Sequence, residues 1–443
     1  MRLKEKFKKG AASFYIVAFS TLILIIIATS FAVAIVAEVT RSSNDDLSQS
    51  AYDAALAGIE DAKLTFMNYQ NCVNNGANTN LDELSPNNDV TCQDIIYWMN
   101  HPNCDMVGHI LGRIGKNDEG GEILVEETEN GTDSGRNEMN QAYTCVTIKT
   151  KLSDYRASLS SMNPYRIIKV DLEKANAADI KAVKVNWYLN GGTMVLDYSN
   201  YISDQVVFQP LNLVNASTPP TLAVEMIQTA QNFTLDQLNG QTQSGKTDRA
   251  TVYLVPTANP NAAARTTNST YMGAYQGGVN TITAAQMAAT NDLRKDLPYL
   301  VYCPGDNVSD EYVCSTTLNL PDPIGGARSN DTFMFVVSLP YGQPETDFSL
   351  EFICKDGADC GNAVAGGGSM GDTSLAALNG VQVLIDSTGR ANDLYRRVEV
   401  RLEPADNAFA YPFYAVQVGE ALEKDLTVTT ECNFPYSAST CPR

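Results

Sequence analysis

The sequence predicts an α+β protein in which one long N-terminal helix, transmembrane in its first half and amphipathic in its second, packs on a β-rich, disulfide-stapled extracytoplasmic head. Three observations predict it. Residues 11–37 hold no charged side chain. All ten cysteines follow that run: Cys72, Cys92, Cys104, Cys145, Cys303, Cys314, Cys354, Cys360, Cys432 and Cys441. Much of the remaining chain breaks into short stretches of β-branched and aromatic residues bounded by turn formers.

Residues 1–10 are a basic leader, with Arg2, Lys4, Lys6, Lys8 and Lys9 against the single acid Glu5, ending at Gly10. At ~1.5 Å per residue, residues 11–37 make a helix of roughly 40 Å, enough to cross a ~30 Å hydrocarbon core with some tilt. The far flank carries Arg41 beside Glu38, Asp45 and Asp46. The asymmetry of the bases predicts a single-pass membrane protein with a cytoplasmic N-terminus and an exported head. A removable secretory signal is the alternative, cut after Ala34 in "FAVA", but the apolar run is about twice the usual ~7–15 residues. The chain has 31 basic and 51 acidic side chains, and the leader takes five of the bases and one of the acids. So acidic an exported surface repels nucleic acid and anionic lipid, which excludes a nucleic-acid partner. An even number of exported cysteines reads as disulfides, in one set before residue 150 and another after residue 300.

Residues 38–70 continue the helix as its amphipathic half. Leu47, Ala51, Ala54, Ala55, Gly58 and Ala62 recur at helical spacing, and no proline precedes Pro86. From residue 11 to residue 66 the rod would be roughly 84 Å long. The segment "IVAEVTRSSNDDLSQSAYDAALAGIEDAKLTF" closes on Ala55, Gly58, Ile59 and Ala62 in an A-x-x-G-I-x-x-A pattern, and "KKG" followed by Ala-Ala-Ser-Phe-Tyr precedes it. Over about residues 1–66 this resembles the leader and N-terminal region of type IV pilin-like proteins of the PilX/GspK minor-pilin type. The resemblance implies processing between Gly10 and Ala11 by a prepilin peptidase and incorporation among other pilin subunits through the helix. It implies a tip or assembly-initiating place in a type IV pilus-like filament, with a head available for adhesion to a surface ligand that the sequence does not name. Major pilins carry a glutamate at the fifth residue after the cut, to neutralise a neighbour's N-terminal amine; here that place holds Tyr15. A buried amine left unpaired is costly, so Tyr15 argues against repeated stacking in a shaft. GspK-like tip subunits lack the glutamate as well. The competing expectation is an uncleaved single-pass anchored binding protein or adhesin, with Tyr15 an interfacial aromatic.

Beyond the helix, residues 71–140 form a polar excursion containing Cys72, Cys92 and Cys104. Residues 141–238 form a pilin-like β region, in which strands at 142–152, 165–173 and 182–189 make a meander whose apolar face the amphipathic half covers. Residues 239–298 are a polar linker, apart from a short helix around 283–295, and residues 299–443 form a second β-rich region. Its strands are "YLVYCP", "TFMFVVSLP", "FSLEFICK", "GVQVLID", "LYRRVEVRLEP" and "YPFYAVQVG". Adjacency favours Cys303 with Cys314, Cys354 with Cys360 and Cys432 with Cys441, although six cysteines allow fifteen pairings. The excursion and the linker, at 71–140 and 239–297, are the candidate contact surfaces.

No motif sustains an enzyme, a cofactor or a metal site. "GQTQSGKT" at 240–247 matches the phosphate-loop spacing, but "DQLN" precedes it and a strand follows, where the chemistry needs a buried strand and then a helix. Ser369 in "GGSMG" has no histidine after it to act as base, for the chain's two histidines are His101 and His109. His101, Cys104 and His109 lack the paired ligands of a zinc site. Asp306, Asn307, Asp310, Asp356 and Asp359 offer calcium oxygens without EF-hand spacing. Asn-x-Ser/Thr triplets at Asn130, Asn215, Asn232, Asn268, Asn307 and Asn330 mark exposed segments.

Overall fold

The computed structural model describes residues 3–75, 90–114, 122–124, 141–170, 180–189, 219–229, 249–257, 272–276, 278–288, 297–304, 311–324, 332–340, 344–354, 375–376 and 378–403. Helix α1 (Leu3–Asn75) runs unbroken for 73 residues, or about 110 Å. Nothing in its sequence stops it: it contains no proline, and its apolar half is rich in Ile, Leu, Val and Ala. Four hydroxyls inside that half are satisfied by the helix itself. Ser20 and Thr21 donate to the carbonyls of Val17 and Ala18 at 2.9 Å, Thr29 to Ile25 at 2.9 Å and Ser30 to Ile26 at 2.8 Å. Back-bonding of this kind lets a hydroxyl sit in an apolar span without an outside partner.

The second half of α1 lies on a four-stranded antiparallel sheet of order β1-β2-β15-β16, made from β1 (Ile123–Leu124), β2 (Gln141–Leu152), β15 (Leu378–Ala391) and β16 (Leu394–Leu402). Ile59, Ala62 and Phe66 of the helix share a core with Tyr143, Val146 and Ile148 of β2 and with Val383 and Ile385 of β15. Two short helices, α2 (Cys92–Asn100) and α3 (Met106–Ile110), extend this core with Ile95, Met99, Met106 and Ile110. Thr91 caps α2: its side chain accepts from the Asp94 N–H, and the Asp94 carboxylate accepts from the Thr91 N–H at 3.0 Å.

Between β2 and β15 the chain builds a second body of two six-stranded sheets. One has the order β3-β14-β5-β12-β10-β9, from β3 (Asp154–Leu159), β5 (Ile180–Leu189), β9 (Tyr275–Gln276), β10 (Val279–Ile282), β12 (Tyr312–Ile324) and β14 (Thr346–Cys354). The other has the order β4-β13-β6-β7-β11-β8, from β4 (Tyr165–Val170), β6 (Leu222–Thr229), β7 (Arg249–Thr257), β8 (Met272–Gly273), β11 (Leu297–Tyr302) and β13 (Thr332–Ser338). They enclose one core in which Trp187, Phe348 and Phe352 of the first sheet meet Phe333, Phe335 and Leu254 of the second. Phe335 and Phe352 meet edge to face across the sheets, with centroids 6.1 Å apart. The buried Trp187 indole donates to the Pro220 carbonyl at 2.9 Å. A disulfide from Cys303, just after β11, to Cys314 in β12 staples the two sheets.

The strand pairing therefore differs from the meander the sequence suggested. Segments 142–152, 165–173 and 182–189 do not form a meander: β2, β4 and β5 belong to three different sheets, and only β2 lies beneath the helix. The expected linker at 239–298 contains β7, which runs between β6 and β11 with nearly every side chain buried, as well as β8, β9, β10 and the short helix α4 (Ala284–Ala288). Alternation of apolar residues tells a strand which face to bury and leaves its partner open. Here the partners are remote, with β2 beside β15 and β4 beside β13.

Candidate assembly helix and its seat on the sheet

The functional element that stands out is α1, because its two halves solve opposite problems. From Phe14 to Val39 its large apolar side chains are exposed, among them Phe14 and Tyr15 at 71%. This half is long and apolar enough to cross a membrane, and none of its most apolar window is buried against the head. From Ala51 onward the opposite holds, with Ala51, Ala54, Ala55 and Ala62 fully or almost fully buried.

Small residues set how close the helix comes. A Cβ built on Gly58 would stand 2.5 Å from the Ser387 hydroxyl oxygen and 2.8 Å from Val146 Cγ2. A Cβ on Gly389 of β15 would collide with the Ala51 carbonyl oxygen and the Ala55 nitrogen, which are helix backbone. The A-x-x-G pattern of the helix thus has a counterpart in the strand, and backbone lies on backbone. The β15 ladder shifts register between Thr388 and Gly389, where the helix presses closest.

One charged residue sits on this seam. Asp61, its side chain 15% exposed, accepts the Tyr143 hydroxyl at 2.7 Å and the Arg113 guanidinium at 2.8 Å. Burial, and then the hydrogen bond and charge of Asp61, push the Tyr143 phenol well above its usual range. The pair fixes the rotation and axial position of the helix on β2, which a stripe of alanines alone leaves loosely determined. Sequence reasoning missed this clamp and missed Gly389. An acid beside Ala62 on the apolar stripe was the available signal for the clamp; Gly389 carried none, since its need appears only with a helix over it.

Disulfides extend the seat. Cys72, near the end of α1, bonds Cys92 at the start of α2, and Cys104 bonds Cys145 in β2, so the excursion after the helix is tied back at both ends. Cys354 is disulfide-bonded as well. Its expected partner Cys360 and the pair Cys432 and Cys441 lie outside the described residues. Cys104 is thereby removed from any zinc trio. His101 stacks on Tyr97, and His109 lies nearly parallel to Trp98 with centroids 4.6 Å apart. The loop at 240–247, Ser369, the five calcium-type residues and all six Asn-x-Ser/Thr sites lie outside the described residues, as does "YPFYAVQVG". Gly10 and Ala11 fall within α1. No protein family, curated protein or solved structure matches the chain.

Proposed function

We propose that this chain is a minor, tip or assembly-initiating subunit of a type IV pilus-like filament, cut after Gly10 by a prepilin peptidase and joined to other subunits through α1, with its head turned outward toward a surface ligand. The observation that carries the reading is the division of α1: an exposed apolar half continuous with a half seated on an antiparallel sheet through Ala and Gly. An exposed apolar rod needs lipid or other rods around it, and a rod held at fixed depth and rotation by its own head can pass from one to the other. Tyr15, in place of an acid, fits a subunit with no neighbour's amine to neutralise. It fits equally an uncleaved single-pass anchored adhesin, the second reading.

N-terminal sequencing of protein from sheared surface fibres separates the two. A mature chain beginning at Ala11 and present in the fibres is the expected result. A chain beginning at Met1 and confined to the membrane selects the anchored adhesin.

A further inference from the structure

We infer that residues 153–377 are an autonomously folding passenger, carried as an insertion in the β2 to β15 connection of a complete helix-backed module, and that the passenger is the part presented to the outside. Its first support is where the chain leaves and returns. Leu152 at the end of β2 and Leu378 at the start of β15 are direct cross-strand partners, so the insertion begins and ends in neighbouring places and the four-stranded sheet closes across it. A two-residue turn spans such a gap.

The second support is that the cores are separate. Tyr155, Trp187, Phe333 and Phe335 belong to one cluster and Ile59, Phe66, Val146 and Ile148 to another. One strand changes allegiance within its length. Leu378 and Val381 of β15 pack into the passenger, Val383 and Ile385 pack beneath the helix, and the ladder to β2 is interrupted between Asn379 and Leu384, where the change occurs. The third is the chemistry of the junction, which is polar apart from Leu378 and Val381. The Gln382 amide donates to the Arg156 carbonyl at 2.7 Å and accepts the Arg156 N–H at 3.1 Å, occupying part of the edge that β3 would otherwise offer to another strand. Arg401 donates to the Gln382 side-chain oxygen at 2.9 Å and to the Asp154 carboxylate at 3.2 Å, and Tyr155 donates to Glu403 at 2.5 Å. Two bodies docked largely through hydrogen bonds, with Leu378 and Val381 the apolar link between two otherwise distinct cores, unfold separately.

The chain's two tryptophans fall one to each body: Trp98 in α2 and Trp187 in β5. In full-length detergent-solubilised protein labelled with 5-fluorotryptophan, fluorine NMR during urea titration reads both bodies in one sample. Phe335→Ala is expected to lower the midpoint at Trp187 by roughly 1–3 M urea and leave that at Trp98 unchanged, and Ile148→Ala to do the reverse. If either variant moves both resonances together, the head is one cooperative unit and the inference fails.

The assignment of outward presentation rests on the filament reading, and a second variant separates the two. Residues 153–377 are replaced by Asn-Gly, with Leu378→Lys and Val381→Thr covering the apolar side chains left behind. The expected product reaches the membrane with the Cys72 to Cys92 and Cys104 to Cys145 bonds formed, and enters fibres at the level of the intact chain. A product lacking those bonds overturns the autonomy of the helix-backed module. A folded product excluded from fibres that the intact chain enters overturns the division of labour. If neither chain enters fibres, the filament reading fails while the autonomy stands.

Discussion

Replacing Gly389 by alanine tests whether the helix truly rests backbone on backbone. The added methyl falls on the Ala51 carbonyl oxygen and the Ala55 nitrogen, and neither can rotate aside. The helix must retreat by about 1 Å, which forfeits a quarter to a half of the dispersion at the seam. Overpacking costs about 1–3 kcal/mol, and an obstruction made of backbone belongs at the upper end, ~3 kcal/mol. With a slope of ~2 kcal/mol/M in urea, the midpoint read at the Trp98 fluorine resonance falls by about 1.5 M. Gly58→Ala is the control. Its methyl meets side chains alone, the Ser387 hydroxyl at 2.5 Å and Val146 Cγ2 at 2.8 Å, which can shift where backbone cannot, and alanine returns about 1 kcal/mol of helix propensity. Its midpoint shift is expected to be less than half as large. An unchanged midpoint in Gly389→Ala, or a larger loss in Gly58→Ala, would refute the argument.

Three further outcomes follow from the same seat. Tyr143→Phe removes one hydrogen bond to the largely buried Asp61 carboxylate and is expected to cost about 1.5–3 kcal/mol by urea unfolding, with little change in helix content. Buried Tyr143 and Tyr155 hold their protons beyond the ordinary tyrosine value of 10.0. Their folded pKa values are raised, so their contribution is complete below pH 10 and is lost as the pH climbs past the point where the unfolded chain ionises; Tyr143→Phe is expected to make that alkaline decline shallower. Opening the disulfide that spans 20 residues between Cys72 and Cys92, by replacing both with serine, is expected to cost about 3 kcal/mol at Trp98 and leave the Trp187 transition in place.

What the sequence determined by itself is what local pattern can carry. The body of the helix was legible, from an uncharged run and then Ala and Gly at helical spacing without proline, but its ends were not: it begins at Leu3, inside the expected leader, and runs on to Asn75. Strands at 299–304, 332–340, 348–355, 380–386 and 394–404 were legible as well, and the structure has β11, β13, β14, β15 and β16 there. The β15 to β16 hairpin is the most local of these, turning at Asn392 (φ 50°) and Asp393 between the paired Ala391 and Leu394. The tertiary structure alone decided which strand meets which. It took β2 from its sequence neighbours and set it beside β15, which lies beyond the whole passenger, and it made a central strand of β7 from a stretch that composition marked as linker. The physical reason is that a side-chain pattern records burial, a property of one residue and its face, whereas pairing is a competition among all strands for the same hydrogen bonds. Gly389 and the Asp61 clamp belong to that second kind, for each acquires its meaning only when a distant segment arrives against it.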